Sequence, residues 1–128
     1  MRLLLDTHAF LWWALGDRSL SDVAQATIDD RKAQVFVSAA SAWELATKYR
    51  IGKLPHAEII ANDVARAIAR NAFEQLLITV AHAETSGRLP GHHGDPFDRM
   101  LIAQALTDGL TLVSKETLFD AYGVMRLW

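Results

Sequence analysis

Arg2-Leu3-Leu4-Leu5-Asp6-Thr7-His8-Ala9-Phe10-Leu11 runs from a short apolar stretch through one acid into a helix-like pattern. The same succession recurs. Glu44 lies just beyond Val35-Phe36-Val37, Asp98 opens the helix-like stretch 96–108, and Glu116 follows Thr111-Leu112-Val113. Short, uninterrupted apolar runs fit strands buried on both faces, as in a parallel sheet. Leu3–Leu5, Val35–Val37, Leu76–Val80 and Thr111–Val113 are four such runs, and Val124–Leu127 reads as a fifth at an edge.

Helical patterns lie between them. Ser21 is placed to cap a helix carrying Val23, Ala24, Thr27 and Ile28. Ile60, Val64 and Ile68, with Ala57, Ala61 and Ala65, form a wide apolar stripe on another. Asp95-Pro96 is a start signal, a capping Asp followed by Pro at the first helical position, and Gly109 is the matching stop. Strands alternating with helices predict an α/β fold, a central parallel sheet of four to five strands flanked by helices in three layers. The strand C-termini of such a sheet share one edge, where ligands bind. Four carboxylates meeting there would repel one another and would hold either protons or a hard cation.

The chain has 128 residues, 51% apolar and 22% charged, the length and composition of one globular domain spanning 1–128. No apolar stretch reaches the roughly eighteen residues of a membrane span. There is no cysteine, which excludes disulfides and thiolate zinc sites and makes a reducing cytoplasm the simplest home. The net charge of −2 leaves no footprint for tight, sequence-independent nucleic-acid binding, so such a partner must meet a local patch or a metal. No Gly-rich phosphate loop is present, and no histidine pair has HExxH spacing.

Each acid also has a structural reading. Asp6 is placed to cap the helix that follows it, a role worth about 1 kcal/mol, and capping and a site role both stand. Glu44 matches capping-box spacing from Ser41 and stands four residues before Lys48, the favourable direction for a helix ion pair. Taken alone it reads as structural. Asp98 falls at the third helical position after Asp95, a capping-box place, yet it shares a helical face with Leu101, Ile102 and Ala105, so it sits at the end of a core stripe, where a bare carboxylate is costly. Glu116 suits a helix start, with Lys115 as a neighbouring charge. Asp95 is the cap of its helix and a candidate supporting carboxylate. Gly87–Asp95, holding His92-His93, reads as a solvated, mobile loop. Phe10, Leu11, Trp12 and Trp13 span the circumference of one helix, so one tryptophan is expected on an exposed docking surface.

Leu3–His8, Ser38–Leu45, Asp95–Ala105 and Thr111–Ser114 together resemble the PIN domain, above all the VapC-like toxins of bacterial toxin–antitoxin pairs. The resemblance covers nearly the whole chain in order. It implies a Mg²⁺-dependent ribonuclease, with Mn²⁺ as an alternative ion, that is usually a homodimer and is held inactive by a small antitoxin. It also implies that Asp6, Glu44 and Asp98 are metal-binding and catalytic, with Glu116 in a fourth position more commonly Asp. Thr7 and Ser114 match small hydroxyl positions that help arrange the site. A receiver-like signalling module is the alternative, since Lys115 follows a strand, but Asp6 stands without the acidic pair expected there. A PIN-like binding protein without activity is another.

Overall fold

A computed structural model describes residues 1–91 and 93–128. Five strands, β1 (Arg2–Leu5), β2 (Gln34–Ser38), β3 (Glu74–Leu76), β4 (Thr111–Val113) and β5 (Arg126–Leu127), form one sheet in the order β3-β2-β1-β4-β5. All four pairings are parallel, with Leu5 level with Val37 on one side and Val113 on the other. Strand alternation divides the core. Leu3, Leu5, Val35, Val37 and Val113 face one apolar cluster, and Leu4, Phe36 and Leu112 face a second.

The first cluster is covered by α1 (Thr7–Leu15), α2 (Asp22–Asp29), α3 (Ala39–Arg50), α4 (Glu58–Ala61) and α5 (Val64–Arg70). The second is covered by α7 (Pro96–Asp108), with α6 (Val80–Arg88) packed on it. The result is the expected three-layer α/β architecture. No helix among the described residues is long and apolar enough to cross a membrane.

Local signals explain most boundaries. The Ser21 side chain accepts from Ala24 N–H at 3.0 Å at the start of α2. Asp95 accepts from Phe97 N–H at 2.9 Å and from Asp98 N–H at 3.2 Å, and α7 ends at Gly109 in the left-handed region. Four expectations need correction. The run Leu76–Val80 is not a strand. β3 ends at Leu76, Leu77 and Val80 are exposed, and Thr79 caps α6, which the apolar run concealed. The stripe 57–68 is not one helix: Asp63 caps α5 after a break, the phase shifts, and Ala67 is buried in place of Ala65. Helix α3 starts at Ala39 under Ser38, so Ser41 lies inside it and no Ser41–Glu44 capping box exists. Gly87 and Arg88 belong to α6 and not to a loop. His92 lies outside the described residues.

Candidate active site

The chain order dictates where the acids go. It leaves β1 toward β2 on one side and later returns to β4 on the other, so the sheet changes winding direction between β1 and β4. Loops leaving two such strands diverge and open a crevice at their C-terminal ends. Asp6 ends β1, the N-terminal half of α3 follows β2, and Ser114 ends β4. Helix α7, which leads into β4, starts at the same edge.

Asp6 is buried and caps α1, accepting from Ala9 N–H at 2.8 Å. The capping reading of this residue therefore holds. Burial pushes its carboxyl from the ordinary 3.8 up to about 6, against the hydrogen bonds from Ser114 and Ala9, and the Asp98 charge adds to the rise. Asp98 is half-buried, and its pKa is raised first by desolvation. The hydrogen bond from His93 opposes that rise, and the charges of Asp95 and Glu44 add to it. Asp6, Glu44 and Asp98 thus share one electrostatic neighbourhood, with Asp98 at its centre.

Glu44 is 3% exposed. It accepts from the Thr7 hydroxyl, which also lies 3.1 Å from Ser41 Oγ, and from the ammonium of Lys48 one turn later. The expected helix ion pair is present, and it does more than brace the helix. Desolvation alone would lower the Lys48 pKa, but the hydrogen bond and charge of Glu44, with Asp95 and Asp98 beyond it, raise it. Lys48 is the cation already standing among the acids.

Glu116 is not brought into this group. It is exposed at the start of a 3₁₀ turn, Thr117–Tyr122, and its N–H donates to Ser114 Oγ at 3.0 Å. Ser114 is fully buried and connects the backbone of Glu116 to the carboxylate of Asp6. Asp95 is a cap, as expected, and acts on Asp98 through its charge.

His93, expected in a solvated loop, is half-buried instead, and its Nε2 lies 2.8 Å from Asp98 Oδ2. Its segment is tied down. Arg99 donates to the carbonyls of His93 at 3.2 Å and Ser86 at 3.1 Å, and also to that of Leu89. The Tyr122 hydroxyl accepts from His93 N–H at 3.4 Å. Gly91, with φ +95, lies so close that a Cβ there would sit 2.7 Å from that hydroxyl. A histidine five residues before a helix-start aspartate, across an Asp-Pro cap, was the available signal.

Neither tryptophan of α1 stands fully exposed, and neither is fully buried. Trp12 packs against Trp128 with ring centroids 5.8 Å apart, and Trp13 donates to Asn71 Oδ1 at 3.1 Å while packing on Phe73. Both are half-buried, and Phe10 and Leu11 are buried, so α1 offers no exposed tryptophan for docking.

Among the described residues, no three carboxylate or imidazole groups already converge as a finished cation site. The donor chemistry nevertheless fits a hard divalent ion. Asp6, Glu44 and Asp98 offer oxygen ligands, and two of them carry charge that their surroundings penalise. A cation would relieve that penalty.

Comparison with known proteins bears on the family and the fold. The PIN domain family profile matches residues 3–124. Over 64 residues the chain is 41% identical to Ribonuclease VapC16 of Mycobacterium tuberculosis (strain ATCC 25618 / H37Rv), a match covering 50% of this chain and only 44% of that protein. VapBC2 from Rickettsia felis, solved bound to a DNA fragment from its promoter, superposes with a TM-score of 0.73 at 15% identity, covering 99% of this chain and 98% of that one. Mycobacterium tuberculosis VapC20, described as a Sarcin-Ricin loop cleaving toxin, gives 0.66 at 13% identity over 96% of both chains. These structural likenesses speak for the fold alone. With the profile spanning nearly its full length, the chain belongs to the PIN domain family.

Proposed function

We propose that this chain is a divalent-metal-dependent ribonuclease, the toxin of a toxin–antitoxin pair, acting on RNA phosphodiester bonds in the cytoplasm. The observation that carries the reading is the shared field of Asp6, Glu44 and Asp98 at the crevice between β1 and β4. These three would hold Mg²⁺ or Mn²⁺, with Glu116 a fourth acid at the rim. A bound ion supplies an acidified water and charge relief at the scissile phosphate.

The chain's own residues do the positioning. Thr7 fixes one oxygen of Glu44, Ala9 N–H and Ser114 fix Asp6, and His93 fixes Asp98. Lys48 offsets the acids' charge and would serve as a cation for an incoming phosphate. An antitoxin partner is proposed by likeness to VapC-type proteins. Its inhibitory segment would bring a basic side chain to the same acids. A second copy of the chain is the proposed cover for the exposed Leu77 and Val80 beside β3.

The test is incubation of the purified chain with single-stranded RNA and Mg²⁺, with and without EDTA. Cleavage that EDTA abolishes supports the reading. Binding without cleavage in any divalent metal supports an inactive binding protein instead.

A further inference from the structure

We propose that Trp43 and Phe97 form an aromatic platform at the mouth of this site, which stacks an unpaired nucleobase next to the cleaved phosphate. The inference rests on the ribonuclease reading for the presence of RNA at the acids. Trp43 is 61% exposed, whereas Trp12 and Trp13 pack against other rings. Its ring meets Phe97 at 4.8 Å between centroids and 77° between planes. The edge contact leaves most of the Trp43 side chain open to solvent.

Position gives the platform its meaning. Trp43 immediately precedes Glu44 on α3, and Phe97 immediately precedes Asp98 on α7. Neighbouring helical side chains diverge by about 100°. Each helix therefore turns its carboxylate inward to the shared field and its aromatic outward to the rim. The two helices pack on one another, so the ring pair joins them beside the two acids in sequence.

Charge favours a base as the occupant. A chain with net charge −2 lacks the basic surface that drives phosphate-based affinity. Beside a local cation such as Lys48, aromatic stacking is a further source of affinity, and it tolerates any base because every base has a π-face. Unpaired bases are also the form in which RNA offers those faces.

The test compares a fluorescein-labelled octauridylate with an equally charged octamer of abasic ribose phosphates, by anisotropy in EDTA. Both probes meet the same acidic repulsion, so the ratio of their affinities reports the bases alone. Wild type should prefer octauridylate by about tenfold. Trp43→Ala should bring the ratio close to one, Trp43→Phe should keep most of it, and Phe97→Leu should lose part. In Mg²⁺ cleavage assays Trp43→Ala should raise KM with kcat little changed. A wild-type ratio of one, or a Trp43→Ala ratio equal to wild type, overturns the platform. So does a Trp43→Ala effect confined to assembly mass in sedimentation, which would assign the surface to protein contact. Failure of wild type to cleave RNA in Mg²⁺ would instead overturn the ribonuclease reading, since the affinity ratio is read without metal.

Discussion

Two histidine–aspartate pairs flank α7, and they differ in what surrounds them. At one end His82, almost fully buried, places Nε2 3.1 Å from both oxygens of Asp108. Its Nδ1 accepts from Thr79 N–H at 3.1 Å, closing a reciprocal capping box at the start of α6. Nearby, Gln104 is fully buried and accepts from Ser38 at 2.6 Å. Polar atoms there are matched and the network is closed. At the other end His93 meets a single oxygen of Asp98, which faces Asp95, Glu44 and Asp6 besides. The first pair locks two helices together. The second leaves a carboxylate that burial and the charges of Asp95 and Glu44 penalise more than His93 relieves. A buried polar group marks a candidate site when its charge remains unbalanced, and burial alone does not.

Exchanging an oxygen for an amide at each pair is the strongest way to break this contrast. Asp98→Asn should cost at least about a thousandfold in RNA cleavage, beyond the ten- to hundredfold typical of losing an outer partner of a metal ligand. It should leave the melting temperature of the metal-free protein unchanged or higher, because a repelling charge is gone. Asp108→Asn should do the reverse, losing about 1 kcal/mol of stability and sparing cleavage. Parallel activity and thermal-melt measurements read both outcomes.

A pH titration of stability sharpens the same contrast. Asp6 binds its proton more tightly folded, at about 6, than unfolded, at 3.8. The folded state therefore holds more protons between these values, and stability falls as pH rises through that window. The loss from Asp6 should be about 3 kcal/mol, present in full above pH 6 and absent below pH 4. Urea melts of the metal-free protein from pH 4 to 7 measure it, and Asp6→Asn should flatten the slope. A wild-type profile that rises across the window would contradict the account.

Removing the histidines should separate the pairs again. His93→Ala should weaken Mn²⁺ binding about tenfold, read by calorimetry, with little change in melting. His82→Ala should cost about 2 kcal/mol of stability, because Asp108 and Thr79 N–H lose their partner. The smallest effect is expected from Gly91→Ala. Its φ of +95 and the 2.7 Å approach to Tyr122 would strain the segment that holds His93. About 1 kcal/mol of destabilisation and a few-fold weaker metal binding should follow.

Much of this was legible in the sequence, and the losses have physical causes. The range of α7 could be read from Asp95-Pro96 and Gly109, because caps and breakers act locally. Leu3–Leu5 and Val35–Val37 could be read as strands because burial on both faces removes alternation. Leu76–Val80 misled because an apolar run carries no mark of where pairing stops, and Thr79 with His82 is an unusual capping box. Asp6, Glu44 and Asp98 were candidates because each follows or opens an element at one sheet edge. The field they share is a tertiary property. Glu116 looked equivalent by position, yet the turn after Ser114 carries its side chain out to solvent. The exposed Trp43 was illegible and His93 only faintly legible for a related reason, since their meaning comes from contacts across α3, α7 and the segment before α7.

Asp6, Glu44 and Asp98 are proposed to form a cation site in this chain. Thermal melting of the metal-free protein at pH 7, with and without Mn²⁺ or Mg²⁺, tests it most directly. At about a hundredfold excess over Kd, an ion bound only to the folded state contributes about 2.7 kcal/mol. That should raise Tm by roughly 10 °C in a domain of this size, with Asp6→Asn or Asp98→Asn removing most of the shift. A Tm that stays unchanged at saturating concentrations of both metals would contradict the account and leave these acids as helix caps and ion-pair partners.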